Sequence, residues 1–413
     1  MPSTLSLLRS IFQNRDQRRL AIAVWASAFS AGSALGPIVG GFLLEHFDWG
    51  SVFLIAVPVL IPLLIAAPLL VPESRDPNPG RIDIVSIVLS MAAMIPVVYA
   101  IKSLAVDGPS LTAGAWALLG VAMGYLFVRR QLTAEVPMLD MGLFRRGSFS
   151  GAILVNLLSV VALVGFLYFV SQHLQLVLGL SPMMAGAALV PGMLAMIVAG
   201  LSVVPISRRV PPHILVPVGL VFSVAGYLLV AFTTSDHGIA PLVIAFVVLG
   251  IGIGGAETIS NELILSSAPA EKAGAASAVS ETAYELGAVL GTAVLGGLIT
   301  AFYRGALVVP VDIPAEAAHA ATETLAGAYT AAQELPAQLG DALWDAASAA
   351  FGSGVMVTSL IGAGLVVLAG VIAAVTLRKA PRTDQYAGRT GPLGIRPSAG
   401  RFIPMQGVSC RVS

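Results

Sequence analysis

The chain has 413 residues, of which 57% are hydrophobic and 11% are charged. Soluble domains carry about 25% charged residues on average, so this chain has too few polar groups to cover a globular surface. Its mean hydropathy of +0.90 excludes a soluble enzyme, and its net charge of zero provides no attraction to nucleic acid. The composition therefore predicts a polytopic membrane protein whose solvent is largely the lipid bilayer.

Several segments of the chain are apolar over about 20 residues, the length that a helix needs to cross the bilayer. Each is continuously apolar, whereas a membrane β-strand alternates between apolar and polar residues over about ten positions. The predicted fold class is therefore all-α, a bundle of about ten transmembrane helices. The predicted spans are 20–44, 52–71, 84–104, 113–128, 149–170, 183–206, 214–232, 239–265, 282–301 and 355–377.

The Lys and Arg residues indicate how these helices are oriented, because cytoplasmic loops carry an excess of them. With a cytoplasmic N-terminus and alternating helices, all but two of the 22 Lys and Arg residues lie in cytoplasmic segments. The two that lie outside are Lys102 and Arg304. This distribution predicts a multi-pass protein of the cell membrane with both termini in the cytoplasm.

The first span carries Gly32, Gly36 and Gly40 at intervals of four residues. Such a spacing gives a flat face of small residues on which another helix can approach closely. Pro37 removes one intrahelical donor and favours a kink, and Gly41 follows directly. Ordinary packing of small residues between membrane helices is the alternative interpretation.

Two glutamates within the predicted ninth span give the sharpest functional signal. Glu281 and Glu285 are four residues apart and therefore share one helix face. A charged side chain at the bilayer centre costs about 2.5–3.5 kcal/mol on insertion scales, so two on one face need a reason. Because an apolar setting favours the neutral form of a carboxylic acid, such a pair can take up protons and release them when a cation arrives. The alternative is a solvated Glu281 at the helix end and a polar packing contact for Glu285.

A third acid, Glu257, follows the glycine-rich run 250–255 in the eighth predicted span. The glycines leave space either for a ligand or for a closely packed helix. Glu257 is accordingly interpreted either as a substrate-binding carboxylate or as a buried, hydrogen-bonded acid. Asp83 is expected to cap the N-terminus of its helix, and Asn156 is expected to form hydrogen bonds between helices.

No cofactor and no metal site are expected. The five histidines are dispersed at or beyond the ends of the predicted spans, and none has ligand spacing. The single cysteine, Cys410, cannot form an internal disulfide. The glycine run 250–255 lacks the strand–turn–helix context that a dinucleotide-binding loop requires.

The motifs above, taken in order, resemble a known family. Residues 35–41 (LGPIVGG), followed by 49–55 (WGSVFLI), resemble the antiporter motif of the major facilitator superfamily. The resemblance is closest to the fourteen-helix drug:proton antiporters that export quaternary ammonium compounds. Further matches in family order are 71–74 (VPES), 81–83 (RID), 137–140 (PMLD), 143–146 (LFRR), 179–182 (GLSP), 268–277 (APAEKAGAAS) and 281–287 (ETAYELG).

The resemblance places the antiporter motif on the fifth helix of the family, although it lies on the first predicted span of this chain. Residues 1–5 resemble the end of the fourth family helix. We therefore expect the first four family helices to be absent, either because the gene start is misplaced or because the product is truncated. The expected regions are a cytoplasmic segment 1–19, the remainder of an N-terminal bundle 20–71, two linker helices with cytoplasmic loops 72–147, a C-terminal six-helix bundle 148–377 with an outer loop 302–354, and a disordered tail 378–413.

The resemblance implies a proton-coupled multidrug efflux transporter that exports cationic lipophilic compounds by alternating access. Glu281 and Glu285 would couple protons, and Glu257 and Glu281 would bind substrate. The expected partners are small cationic substrates, protons and the lipid bilayer, with no nucleic acid. Two alternatives remain: a non-transporting remnant or partner subunit of another membrane protein, and a facilitator for a different solute such as a neutral metabolite.

Overall fold

A computed structural model describes residues 32, 35–70, 83–108, 110–134, 137, 139, 141–207, 209–232, 238–267 and 273–379. The predicted N-terminal segment 1–19, most of the first predicted span and the predicted tail beyond residue 379 lie outside the described residues. Within the described residues, nine helices are long and apolar enough to cross a membrane. They correspond one to one to the last nine predicted spans, which confirms the all-α, polytopic fold class.

The helices are numbered here in chain order. They are α1 (35–46), α2 (Ser51–Leu54), α3 (Ala56–Leu70), α4 (Ile84–Asp107), α5 (Leu111–Thr133), α6 (Met141–Phe144), α7 (Gly147–Gln172), α8 (Pro182–Ser207), α9 (Pro212–Ala231), α10 (Ala240–Ser267), α11 (Ala273–Leu290), α12 (Gly296–Ala306), α13 (Ala315–Glu323), α14 (Leu325–Glu334) and α15 (Ala337–Thr376). A π-helical turn, His173–Val177, extends α7, and a second, Gly291–Leu295, joins α11 to α12. The 3₁₀ turn Leu377–Lys379 follows α15.

Helices α7 to α12 and α15 pack together as one bundle with an aromatic centre. Phe166 of α7 stacks on Phe246 of α10, with ring centroids 5.2 Å apart. Tyr227 of α9 is fully buried and donates its hydroxyl to the backbone carbonyl of Ala162 in α7. Because this donor has no access to water, the bond to a backbone acceptor fixes α9 against α7.

The glycine run of α10 serves helix packing, which decides between the two predicted uses of that run. A Cβ at Gly250 would lie 2.6 Å from the Gly192 carbonyl oxygen of α8, and one at Gly252 would lie 2.5 Å from the Gly219 carbonyl oxygen of α9. Real Cβ atoms do not approach backbone so closely, so both positions require glycine. The run therefore brings α8 and α9 close to the two sides of α10.

The hairpin of α4 and α5 lies beside this bundle, where α4 contacts α11, α12 and the π-helical turn between them. Asp83 caps α4, as predicted, by accepting a hydrogen bond of 3.1 Å from the backbone N–H of Ser86. The carboxylate also accepts from Arg130 of α5, at 2.8 and 3.0 Å. The Arg130 and Ser86 hydrogen bonds hold the pKa of Asp83 well below its ordinary value.

The predicted outer loop 302–354 is largely helical, and the helix that contains the last predicted span begins before that span. Helix α15 begins at Ala337 rather than at residue 355 and has 40 residues, a length of about 60 Å. The hydrocarbon core is about 30 Å thick, so half of α15 projects beyond it. Its outer half is amphipathic: Leu343 and Ala347 are buried, whereas Asp341 and Asp345 are exposed. A hydropathy argument finds apolar runs, so it predicts the membrane span but not the residue at which the helix begins.

Helices α13 and α14 complete the outer structure together with the outer half of α15. Tyr303 of α12 donates its hydroxyl to the Ala321 carbonyl oxygen of α13, at 2.7 Å. The rings of Tyr329 in α14 and Trp344 in α15 meet edge to face, 5.3 Å apart. We call α13, α14 and residues 337–354 the outer cap.

Candidate functional site

A buried polar cluster joins three helices of the bundle near the predicted acids. Asn156 of α7 donates its side-chain amide to Oδ1 of Asn261 in α10, at 3.2 Å. Ser280 of α11 donates its hydroxyl to the same oxygen, at 2.8 Å. Asn156 and Ser280 are both buried, so each hydrogen bond replaces one that water would otherwise provide. The predicted use of Asn156 between helices is confirmed.

Glu257 lies one helical turn before Asn261 on α10, at the edge of this cluster. It is partly buried, and its Oε1 has no access to solvent and no hydrogen-bond partner among the described residues. This oxygen therefore does not fit the alternative interpretation, in which Glu257 is a buried, hydrogen-bonded structural acid. A buried carboxylate oxygen without a donor is unfavourable, so Glu257 is the acid in this region whose burial most needs a functional reason.

Tyr284 of α11 brings the three predicted acids into one electrostatic neighbourhood. Its hydroxyl interacts electrostatically with Glu257 across the helix interface and with Glu285 and Glu281 on its own helix. Glu281 is partly buried and Glu285 is exposed. Glu257 thus lies near the helix that carries Glu281 and Glu285. By contrast, Glu262 is five residues beyond Glu257 and points in a different direction around α10.

The shape of α11 determines which of its faces carries the acids. A Cβ at Gly287 would lie 2.9 Å from the Leu157 carbonyl oxygen, and one at Gly291 would lie 2.7 Å from the Val161 carbonyl oxygen. These glycines let α11 pack tightly on α7. Glu285 is two residues before Gly287, about 200° around the helix, and it therefore projects from the face opposite α7.

The glycine motif of α1 meets the bundle at the start of α8. A Cβ at Gly41 would lie 2.5 Å from the Pro182 carbonyl oxygen, and a Cβ at Gly186 would meet the Pro37 carbonyl oxygen. Glu45 accepts a hydrogen bond of 3.1 Å from the Ser181 hydroxyl at the same end. The close approach thus involves Gly41 and Pro37.

The other three glycines of the motif have no such contact. Within the described part of the chain, no atom beyond their own helix lies within 4 Å of a Cβ built at Gly32, Gly36 or Gly40. The helix-packing face predicted for these three residues therefore stays a prediction.

The chemistry available here is that of oxygen ligands and carboxylates. Among the described residues, no three His, Cys, Asp or Glu side chains are grouped as a metal site would require. His173 is a correction to the predicted placement of the histidines, because it lies within the span Gly147–Val177 and stacks on Phe351. Carboxylates with hydroxyl and amide oxygens nearby suit organic cations and protons.

Sequence reasoning found the three acids but missed three neighbours that complete the site. These are Tyr284, Asn261 and Ser280. Asn261 lies in a run that the sequence marks only as helical, Tyr284 lies in the family match 281–287 without an assigned role, and Ser280 has a type that is common in membrane helices. A weak signal was present, since Asn261 repeats Glu257 at a spacing of four residues on one face of α10.

Comparisons with known proteins agree on the family to which this chain is similar. The family model described as Major Facilitator Superfamily matches residues 1–292. The chain is 53% identical over 379 residues to the multidrug efflux pump LfrA of Mycolicibacterium smegmatis, covering 92% of this chain and 75% of the relative. It is 33% identical over 352 residues to the methyl viologen resistance protein SmvA of Salmonella typhimurium, covering 85% and 71%.

A third relative extends the range of named compounds. The chain is 31% identical over 406 residues to the tetracenomycin C resistance and export protein of Streptomyces glaucescens, covering 95% of this chain and 74% of the relative. Both the family match and the extent of these alignments agree with the nine membrane-spanning helices of the described residues. The chain therefore belongs to the Major Facilitator Superfamily, whose members are membrane transporters.

Proposed function

We propose that this protein exports lipophilic cations from the cytoplasm in exchange for protons. The observation that carries the proposal is the buried Oε1 of Glu257, which has no hydrogen-bond partner among the described residues and lies near Tyr284 of the helix that carries Glu281 and Glu285. Acids in this arrangement can hold protons while the site is empty and give them up when a cation binds. The similarity to efflux pumps supports export as the direction of transport.

The names of two relatives support a cationic substrate. One relative is named for resistance to methyl viologen, which is a dication, and another is named as a multidrug efflux pump. The acids of the candidate site have the opposite charge to such compounds. An anionic substrate would be repelled by Glu257, Glu281 and Glu285, none of which forms an ion pair with a described residue.

In the proposed mechanism, Glu281 and Glu285 couple proton movement and Glu257 and Glu281 bind the cation. Glu257 lies 17 residues beyond Ala240, the first residue of α10, or about 26 Å along the helix. With the predicted topology, α10 begins outside, so the site lies toward the cytoplasmic end of the bundle. A cation from the cytoplasm or the inner leaflet would therefore reach these acids before the helix bundles rock to expose the site outside.

The antiporter motif has a sealing role in this proposal. Gly32, Gly36, Pro37, Gly40 and Gly41 keep α1 slim enough to pack against a neighbouring helix, as Gly41 does against α8. Tight contact along this interface would limit the passage of protons that are not coupled to substrate.

We place the protein in the cell membrane with both termini in the cytoplasm. We assign residues 72–147 to the linker helices and residues 148–377 to the C-terminal bundle.

Transport by the purified full chain in proteoliposomes tests the proposal. We expect a proton gradient to drive ethidium transport, and we expect Glu257→Gln, Glu281→Gln and Glu285→Gln each to slow gradient-driven transport by about tenfold or more, as loss of a charged binding group does. Glu316→Gln is the matched control, because Glu316 is exposed on the outer cap, and this variant should transport like the wild type.

Two results would contradict the proposal. If Glu281→Gln and Glu285→Gln both leave pH-dependent transport intact, these residues do not couple protons. If the wild-type chain moves neither ethidium nor methyl viologen under a proton gradient, the chain is not an exporter of lipophilic cations by itself.

A further inference from the structure

A groove on the outer half of the bundle differs in charge from the candidate site. It lies between α4, α7 and the α11–α12 helix and has a volume of about 400 Å³. Lys102 of α4 and Arg304 of α12 line it, together with Tyr168 of α7 and the hydroxyls of Thr292 and Thr300. The groove therefore combines two cations with three hydroxyl groups.

The charge of this groove is unusual for the chain. Lys102 and Arg304 are the only two Lys or Arg residues that the predicted topology places outside, and both line this one groove. Neither forms an ion pair among the residues that the structure describes. Arg304 donates Nε to the Glu323 backbone carbonyl oxygen at 3.2 Å, which orients the guanidinium group without neutralising it. The groove is therefore complementary to an anion.

The groove lies at the level of the outer lipid headgroups. Lys102 is 18 residues beyond Ile84, the first residue of α4, or about 27 Å along the helix. Since the hydrocarbon core is about 30 Å thick, Lys102 reaches its outer boundary. Tyr99 of α4 and Trp116 of α5 pack edge to face nearby, with centroids 5.4 Å apart, and such aromatic residues are typical of the membrane–water interface.

Below the two cations, the wall of the groove is apolar and open to the bilayer. Val98 and Val289 line the groove, and Val289 is 41% exposed. On α4, Ile95 and Met91 lie closer to the membrane centre than Val98 does, and both are also exposed. A ligand that fits this surface therefore has an anionic head and a hydrocarbon tail.

We propose that this groove binds an anionic phospholipid of the outer leaflet. The phosphodiester lies between Lys102 and Arg304, because guanidinium and ammonium groups both bind phosphate oxygens strongly. The Tyr168 hydroxyl offers a further donor, and an acyl chain follows Val98 and Ile95. A bound lipid would then join the α4–α5 hairpin to α12.

Native mass spectrometry of the purified, delipidated full chain tests this proposal with defined lipids. We expect phosphatidylglycerol to bind about tenfold or more tightly than phosphatidylcholine with the same acyl chains. The double variant Lys102→Gln/Arg304→Gln should weaken phosphatidylglycerol binding by about tenfold or more. The double variant Lys102→Arg/Arg304→Lys keeps both charges and should bind like the wild type.

The control removes two cations elsewhere. Arg129→Gln/Arg209→Gln changes exposed residues at the other end of the helices, and it should leave binding within about twofold of the wild type. Three results would overturn the proposal: equal binding of the two lipids, unchanged binding in the Lys102→Gln/Arg304→Gln protein, or displacement of the lipid by millimolar inorganic phosphate. The last result would assign the groove to a free anion instead.

Discussion

Asp83 is the centre of a polar network that ties the start of α4 to the end of α5. Its carboxylate accepts from Arg130, as described above, and from the Ser86 hydroxyl at 2.5 Å. Gln131 donates to the same hydroxyl at 2.7 Å and accepts from the backbone N–H of Leu139 at 3.0 Å. One acid thus connects a helix start, the end of the next helix and the segment that follows it.

We predict that Asp83→Asn lowers the thermal stability of the protein at pH 7. The pKa of Asp83 is lower in the folded protein than in the unfolded chain, because Arg130 and Ser86 donate hydrogen bonds to the carboxylate. The stabilisation is therefore complete above the unfolded pKa of about 3.9 and is lost as pH falls below it. The gap in melting temperature between wild type and Asp83→Asn should shrink between pH 7 and pH 3, measured in detergent.

Asp345→Asn provides the control for that comparison. Asp345 is exposed on the outer half of α15 and forms no ion pair with a described residue. Its substitution should leave the melting temperature unchanged at both pH values. A gap between wild type and Asp83→Asn that is as large at pH 3 as at pH 7 would refute the electrostatic explanation.

Residue-scale predictions from sequence succeeded where the signal is local. The cap at Asp83 involves a residue three positions away, so position at a helix start was enough to predict it. Its partner Arg130 is 47 residues away, and Asn156 is 105 residues from Asn261. Nothing in the spacing of such residues indicates which of many polar side chains will meet, because tertiary packing decides the pairing.

At the scale of helices, the contact between α1 and α8 depends on glycine. Gly41 and Gly186 each lie against backbone of the other helix, so a side chain at either position would push the helices apart. The sequence indicated a slim α1 from its glycine spacing. It could not indicate which glycine makes the contact, since that depends on how α1 is rotated toward its neighbour.

We predict that Gly41→Ala and Gly186→Ala each lower the free energy of unfolding by about 1–3 kcal/mol, the range for overpacked interiors. Titration with sodium dodecyl sulfate in mixed micelles measures this change. Gly364→Ala is the matched control, because a Cβ at Gly364 of α15 meets no atom within 4 Å. This control should be neutral or stabilise the helix by about 0.5–1 kcal/mol. Equal effects in all three variants would mean that helix propensity, rather than the contact, governs stability.

Helix existence was easier to predict than helix length. An apolar run of 20 residues has few alternatives to a membrane helix, so the last nine spans were found. The helices then continue past their apolar runs, as α11 does before residue 282 and α15 does before residue 355. In these parts, buried alanines and glycines alternate with polar residues, which lowers the hydropathy although the helix persists.

Across the whole molecule, the distribution of charge separates three surfaces. Acids occupy the candidate site, two cations line the groove nearer the other end of the bundle, and acids return on the outer cap. The zero net charge hides this separation. Under the proposed export of cations, a cation leaving the site would move away from acids within the bundle and toward acids on the outer cap.

The outer cap is the part of the molecule whose stability is least tied to the membrane. Its core is made of alanine and leucine side chains from three helices, with Ala321, Leu325 and Leu343 almost fully buried. We predict that Leu343→Ala, which removes a fully buried side chain, destabilises the cap by about 2–5 kcal/mol. Hydrogen exchange should then accelerate in α13 and α14 while α8 to α10 stay protected, because lipid and the aromatic centre hold the bundle independently.

Leu368→Ala on the same helix is the matched control for this experiment. Leu368 is 48% exposed and lies in the membrane-spanning half of α15, where lipid can fill the space that the shorter side chain leaves. We therefore expect no change in exchange within α13 or α14. If Leu343→Ala accelerates exchange in α8 to α10 as strongly as in the cap, then the cap and the bundle unfold as one unit. In that case α15 transmits any disturbance of the outer cap directly to the helices of the candidate site.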